Sequence, residues 1–181
     1  MKTEQIEEFA LDLIGLLEKN FQVSLDNNDV YRGFNESLLP CLLTMEAQTI
    51  LSNGGLTSLL WTIEDEFVWY DIVSAYQAIG AIEVASILAN CHDSIKPYLT
   101  YLNEFSDNEY FGFKEFLKEI NLHEGILNAT SKIHSYSRGY HELVLKYLNG
   151  IEDRQLVNLV PEINSSILHK LRSVCTAFES H

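Results

Sequence analysis

The chain has 181 residues, 46% of them hydrophobic, and a formal net charge of −14 at pH 7. A chain of this length buries about two-thirds of the surface that it exposes when unfolded, so one domain can fold without a metal or a disulfide. Residues 1–90 hold 14 acidic and 3 basic residues, a net charge of −11, whereas residues 91–181 hold 12 and 9, a net charge of −3. This charge excludes direct binding to nucleic acid or to an anionic membrane, and it permits a basic protein partner. The plain alternative is that the charge only keeps the protein soluble.

The cysteine pattern and the N-terminus predict a cytoplasmic protein. Cys41, Cys91 and Cys175 are odd in number and far apart, as expected for free thiols in a reducing compartment. The first eight residues are too acidic for a signal peptide. No apolar run approaches the ~20 residues of a membrane-spanning helix.

Helical periodicity dominates the first half of the chain. Residues 4–21 predict an amphipathic helix, and residues 30–37 predict a short one. Pro40 is expected in the first turn of a third helix that ends at the Asn-Gly-Gly sequence of residues 53–55, where glycine tolerates a left-handed conformation. Residues 56–61 are apolar and predict a further helical turn or two.

The second half continues the pattern. Helices are predicted over 68–78 and 81–91, with a break or a close helix crossing at Gly80, then a loop at 92–94 and a short helix opened by Pro97. Residues 107–112 predict a turn, and residues 113–120 a helix. Residues 126–148 predict one or two helices with Gly139 as the weak point, and the last helix is expected to begin at residues 160–161. No segment shows the two-residue alternation of a strand, so the prediction is an all-α, compact multi-helix bundle forming a single domain over 1–181.

Motifs for catalysis or metal binding are weak. The six histidines include no HExxH pair, and His134 and His141 would share a helix face only if their helix were unbroken. Cys91, His92 and Asp93 have the residue types of a thiol enzyme, but adjacent residues point in different directions, which favours a buried, inert thiol. The prediction is therefore no metal, no cofactor and no catalytic residue.

Carboxylates and aromatic residues are the remaining candidates for a site. Three acidic groups stand out, and each could also be an ordinary solvated face: Glu64, Asp65, Glu66 with Asp71; Asp26 with Asp29; and Glu4, Glu7, Glu8 with Asp12. The first two groups are predicted to bind a partner. Trp61 and Trp69 flank residues 64–66; core anchoring is the default for both, and an interface anchor ringed by acids is the sharper alternative.

The stretch 46–90 resembles the DNA-mimic protein family, a group of small acidic helical bacterial proteins. The matching positions are structural rather than chemical: Glu46, Asn53, Gly54, Gly55, Leu56, Ala75, Ile79, Gly80 and Ala81. Residues 57–60 depart from the aromatic-rich segment that usually follows the glycines. The resemblance implies a family-like core over about residues 30–120, with a helical extension over 121–181.

The resemblance implies a helical fold without catalytic activity, in which surface carboxylates stand in for DNA phosphates. We therefore expect a non-enzymatic acidic protein-binding module, in its sharper form a DNA mimic that occupies a basic DNA-binding protein. The alternatives are an immunity-type inhibitor of a toxin, an uncharacterised helical domain without mimicry, and an enzyme with a pocket near Glu46, His123 or His141. Since ~40 Å of B-DNA carries roughly 24 phosphates, mimicry requires most of the charge on one face or a homodimer that extends it.

Overall fold

The structure, a computed structural model, describes residues 3–21, 35–63, 66–98, 110–136 and 139–178. Over these ranges the chain forms nine α-helices and no strand, which confirms the all-α prediction: α1 Thr3–Asn20, α2 Leu39–Thr62, α3 Glu66–Ala78, α4 Ile82–Ile95, α5 Tyr110–Glu119, α6 His123–Tyr136, α7 Tyr140–Asn149, α8 Asp153–Leu159 and α9 Ser165–Phe178. A 3₁₀ turn, Lys96–Tyr98, follows α4. None of the described helices combines the length and the apolar character needed to cross a bilayer.

Helix α2 is the centre of the bundle. It packs against α3 and α6, and it also contacts α1, α5 and α7. Five successive residues, 41–45, are buried, so this part of α2 is enclosed on every side instead of presenting one apolar stripe. Around it, α3 pairs with α4, α4 with α6, and α7 with both α1 and α9.

Gly55 breaks α2 where the sequence predicted a helix end. Its backbone angles are φ 69° and ψ −168°, a combination that only glycine adopts at low cost. A Cβ atom at this position would lie 2.8 Å from Cγ2 of Thr130 on α6. The predicted turns over residues 56–61 follow directly, so α2 consists of two helical segments at an angle to each other.

Helix α6 holds the break in place. The Leu56 amide donates to the Thr130 hydroxyl at 3.0 Å. One turn further along α6, Nε2 of His134 lies 3.2 Å from the Leu51 carbonyl oxygen and can donate to it when that nitrogen carries the proton. Two side chains spaced four apart on α6 therefore bind the backbone on both sides of Gly55.

Two helix ends have the same hydrogen-bond pattern. At Gly80, with φ 87°, the Ala81 amide donates to the Tyr76 carbonyl at 2.8 Å and the Gly80 amide to the Gln77 carbonyl at 3.0 Å. This is a Schellman ending, and it confirms the predicted break between α3 and α4. Asn121, with φ 59°, ends α5 in the same way.

A ring cluster joins α3 to the end of α4. Trp69 stacks on His92 with ring centroids 5.5 Å apart, and its indole N–H donates to the Leu88 carbonyl at 3.3 Å. Tyr70 meets the other side of His92 edge-on at 5.4 Å. His92 is 3% exposed and its Nδ1 has no hydrogen-bond partner among the described atoms. Burial lowers the pKa of His92, which favours the neutral ring.

Arg172 ties the C-terminal helices together. From α9 its guanidinium donates to the side chain of Asn149 at 2.7 Å and to the Ile151 carbonyl at 3.1 Å, and it also binds the Asn149 carbonyl and the Asp153 carboxylate. These groups lie at the end of α7 and the start of α8. A cation at a helix C-terminus is stabilised by the exposed carbonyls there.

Several predicted boundaries were wrong. Residues 92–94 are not a loop, because α4 continues to Ile95, whose side chain is 1% exposed. The last helix begins at Ser165 and not at residues 160–161, since Asn164 accepts the amides of Ser166 and Ile167 and so caps it. Helix α8 was not predicted as a separate element.

Other boundaries were confirmed or lie partly outside the described residues. The break at Gly139 separates α6 from α7, and Pro40 lies in the first turn of α2. Most of the helix predicted over 30–37, most of the one opened by Pro97, and residues 107–109 of the predicted turn lie outside the described residues. The prediction of a turn at residues 110–112 was wrong, because these residues form the first turn of α5.

Replacing Gly55 with alanine should destabilise the protein by about 1–3 kcal/mol, because the new Cβ meets Thr130 and the φ angle is strained. Urea unfolding followed by circular dichroism measures the change. The control is Gly15→Ala in the middle of α1, where no atom lies within 4 Å, and it should stabilise by up to about 1 kcal/mol. Equal stabilities for the two variants would contradict the strained break.

Replacing Thr130 with valine should cost about 1 kcal/mol or more of unfolding free energy, because the Leu56 amide loses its acceptor at nearly constant side-chain volume. Thr130→Ser keeps the hydroxyl and is the matched control. If valine and serine variants unfold at the same urea concentration, the hydrogen bond does not hold the break.

Acidification should weaken the fold through His92. Its pKa in the folded protein is below the ordinary 6.5, so the unfolded chain binds more protons and stability falls as pH drops through and below about 6.5. His92→Phe keeps a ring against Trp69 and removes this titration. The unfolding free energy of the variant should therefore depend less on pH between about 6.5 and 5. If the unfolding free energies of the variant and of the parent protein change equally with pH, His92 does not cause the loss of stability.

Candidate acidic binding surface

One face of α1 carries a row of carboxylates, here called the α1 acidic face. Its members are all exposed: Glu4, Glu7, Glu8, Asp12 and Glu18. At 100° per residue they fall within an arc of about 140°, opposite the buried Phe9, Leu13 and Leu17. At 1.5 Å per residue the row is about 21 Å long. The apolar positions of α1 face the core, and this packing turns the acids outward.

Basic residues border this face but do not interrupt it. Residues 3–18 include no Lys or Arg. Lys19, at the end of α1, lies 3.7 Å from Glu162. Lys170 of α9 lies over the ring of Phe9, 4.6 Å from its centroid, in a groove between α1 and α9 that Asp12 also lines. Glu18 extends the row beyond the four acids identified from the sequence.

The acids predicted to bind a partner have different environments. Asp26, Asp29, Glu64 and Asp65 lie outside the described residues. Asp71 is exposed on α3. Glu66 is engaged within the chain: its carboxylate accepts from the Lys96 ammonium and, at 2.9 Å, from the Tyr70 hydroxyl.

The Glu66 ion pair changes the charge that this region presents. The hydrogen bond from Lys96, and next the one from Tyr70, lower the pKa of Glu66. The hydrogen bonds that Lys96 donates to Glu66 and to the Tyr70 hydroxyl raise the pKa of Lys96. Both partners therefore stay charged at neutral pH and largely cancel each other. Glu66 contributes less to an acidic surface than its position in the sequence suggested.

The two tryptophans do not form an exposed anchor. Trp69 is 2% exposed in the cluster with His92. Trp69 is therefore a core residue, as the default prediction had it, and its interpretation as an interface anchor was wrong. Trp61 is half-buried against Tyr110 and Phe113, with ring centroids 5.6 and 5.3 Å away. The exposed aromatic residues of α3 are Phe67, at 72%, and Tyr70, at 44%. Helical periodicity explains why Phe67 is exposed and Trp69 is buried, because residue 67 is about 160° from residue 69 around the helix.

The remaining motif residues are structural. Gly55 and Gly80 have positive φ angles at helix breaks, whereas Asn53 and Gly54 are exposed in the last turn before the first break. Glu46 is half-buried on α2. His134 and His141 lie on different helices, α6 and α7, so they share no helix face. Across the described part of the chain, no three His, Cys, Asp or Glu side chains are grouped closely enough to hold a metal ion.

A small cavity of about 70 Å³ lies beside the Gly80 turn. Tyr76, Tyr136 and Tyr140 contribute to its wall, together with Gln48 and Glu83. The Tyr140 hydroxyl donates to the Thr44 hydroxyl at 3.2 Å, and the Tyr76 hydroxyl donates to Gln48 Oε1 at 3.3 Å. The motif Ile79-Gly80-Ala81 therefore shapes one edge of a polar, tyrosine-lined cavity, which the sequence pattern did not indicate.

Comparison with known proteins supports the resemblance seen in residues 46–90. Neither the curated proteins nor the solved structures that were compared with the chain include a match. The family profile described as DMP19-like protein matches residues 32–150, about two-thirds of the chain, from before α2 to the end of α7. The match is longer than the stretch that carried the resemblance, and it leaves α1 outside. The chain belongs to the DMP19-like protein family.

Proposed function

We propose that the protein is a non-enzymatic binding module that occupies the DNA-binding surface of a basic protein, acting as a DNA mimic in the cytoplasm. The observation that carries this proposal is the α1 acidic face, five exposed carboxylates along about 21 Å without an intervening Lys or Arg. Membership of the DMP19-like family supports it.

The charge spacing of this face is close to that of one DNA strand. A single strand of B-DNA carries one phosphate per ~3.4 Å, so 21 Å corresponds to about six phosphates. Five carboxylates over that length give nearly the same linear charge density. The net charge of the whole protein is far smaller than that of a DNA duplex of equal length. The α1 acidic face, however, needs to match the charge of only one strand.

The family-matched region adds a second source of negative potential. Residues 33–95 contain eight Asp or Glu and no Lys or Arg. Asp71, Glu83 and Asp93 of this region are exposed on α3 and α4. An extended negative field attracts a basic protein before contact and raises its association rate, most strongly at low salt.

Catalysis is not part of this proposal. The described cavity beside Gly80 is lined by one carboxylate and no histidine, and a histidine and a carboxylate together are what the enzyme alternative required. His92, the buried histidine, is enclosed by aromatic rings in the core rather than placed in a cleft. We also propose no cofactor, because binding by charge complementarity does not require one.

The mimic can be tested by elution with DNA. The protein is immobilised, bacterial lysate is applied at about 50 mM salt, and bound proteins are released with duplex DNA. A true target should be released by DNA, should bind DNA when purified, and should lose that binding when the mimic is added. A target that binds the mimic but not DNA would favour the toxin-inhibitor alternative, and the absence of any DNA-released protein would overturn the proposal.

The location of the binding face can be tested with two variants of equal charge. The triple variant Glu7→Gln, Glu8→Gln, Glu18→Gln removes three of the five charges of the α1 acidic face, and the control Glu119→Gln, Glu124→Gln, Glu152→Gln removes three exposed charges elsewhere. The first should weaken binding of the DNA-released protein about tenfold or more and should flatten the dependence of log Kd on log salt. Equal losses for both variants would show that total charge, and not this face, determines binding.

A further inference from the structure

The tyrosine-lined cavity beside Gly80 has the composition of a site for a cation. Three tyrosines line it, Tyr76, Tyr136 and Tyr140, and Glu83 is the one carboxylate among the lining residues that the structure describes. Aromatic rings attract cations through the negative potential of their faces, and cages of several rings recognise ammonium groups in particular. No Lys or Arg is among the lining residues that the structure describes.

The fold fixes the two inner rings. Tyr76 is 1% exposed, and its hydroxyl is directed to Gln48 Oε1 at 3.3 Å and to the Thr44 carbonyl at 3.5 Å. The Tyr140 hydroxyl is bound to the Thr44 side chain. These hydrogen bonds hold both phenols against α2, and burial raises the pKa of both, so they remain neutral. Neutral rings supply the wall, and Glu83 supplies the charge.

The mouth of the cavity is formed by more accessible residues. Tyr136, the last residue of α6, is 47% exposed, and Glu83 is exposed in the first turn of α4. An occupant can therefore enter past Tyr136 and Glu83 and end against Tyr76. In this cavity of about 70 Å³, a compact ammonium head with its adjacent methylene needs less room than a planar guanidinium group does.

We propose that this cavity binds the ammonium head of a lysine side chain, with cation–π contact to Tyr76, Tyr136 and Tyr140 and an ion pair to Glu83. The source of that lysine, a basic protein partner, rests on the proposed function. The site lies within the family-matched region, in contrast to the α1 acidic face, and would give the partner one defined anchor beside a diffuse electrostatic attraction.

The test uses small probes, so it does not depend on a partner. Binding of n-butylammonium, n-butylguanidinium and n-butanol is followed by the NMR shifts of the tyrosine ring protons and of the Glu83 amide. We expect saturable shifts with n-butylammonium at a Kd of about 1–10 mM, weaker binding of n-butylguanidinium, and no saturation with n-butanol. Equal response to n-butanol, or no saturable shift with n-butylammonium, would overturn the proposal, and tighter guanidinium binding would overturn the assignment to lysine.

Four variants separate the cation site from general charge. Glu83→Gln and Tyr136→Ala should each weaken n-butylammonium binding about threefold to tenfold, whereas Tyr136→Phe, which keeps the ring, should bind as the parent does. Glu124→Gln removes an exposed acid of α6 outside the cavity lining and should have no effect. If Glu124→Gln weakens binding as much as Glu83→Gln, the probe senses only overall charge and the proposal fails.

The two proposals fail separately. If n-butylammonium binds as expected but no protein is released by DNA, the cation site stands and the mimic does not. If the mimic captures a DNA-binding protein but the probes do not bind, the cavity is not the anchor and the α1 acidic face remains the binding surface.

Discussion

The break in α2 at Gly55 is the constraint on which the arrangement of the central helices depends. The break divides the 24 residues of α2 into two helical segments, and α2 packs against both α3 and α6. The cost is an amide that needs a new acceptor, and Thr130 supplies it from another helix. A local glycine preference and a contact between residues 74 positions apart in sequence therefore specify the same geometry.

The same region connects the fold to the proposed anchor site. Tyr76 and Tyr140 both hydrogen-bond to Thr44 in the first segment of α2, and the Schellman turn at Gly80 places Ala81 at the cavity edge. Residues that look like packing and turn positions in the sequence thus build the cavity wall. The hydrogen bonds of Tyr76 and Tyr140 fix the positions of both rings before a ligand arrives.

Charge is divided between two parts of the molecule. The α1 acidic face precedes the family-matched region, and its carboxylates have no described ion pair with the Lys or Arg of that region. Within the matched region, Glu66 is paired with Lys96, and the other exposed acids of α3 and α4 are spread along two helices. Under the proposed function, charge over this wide surface attracts the partner, and contacts at a few positions determine the specificity of binding.

Periodicity and glycine placement determined much of this protein. They predicted an all-α bundle, the N-terminal helix, the start of α2 at Pro40 and the breaks at Gly55, Gly80 and Gly139, because these features depend on the preferences of neighbouring residues. The resemblance in residues 46–90 predicted the family. This resemblance depends on the Asn-Gly-Gly and Ile-Gly-Ala sequences. Their glycines meet local backbone requirements, which can be recognised from neighbouring residues alone.

Only the tertiary structure decided which side chains face outward and which meet. It placed Trp69 and His92 in the core and left Phe67 exposed, continued α4 to the buried Ile95, and paired Glu66 with a lysine 30 residues away. It also brought Tyr76, Tyr136 and Tyr140 around one cavity from three helices. These outcomes depend on contacts between segments distant in sequence, and a helical pattern gives the face of each helix but not the partner that covers it.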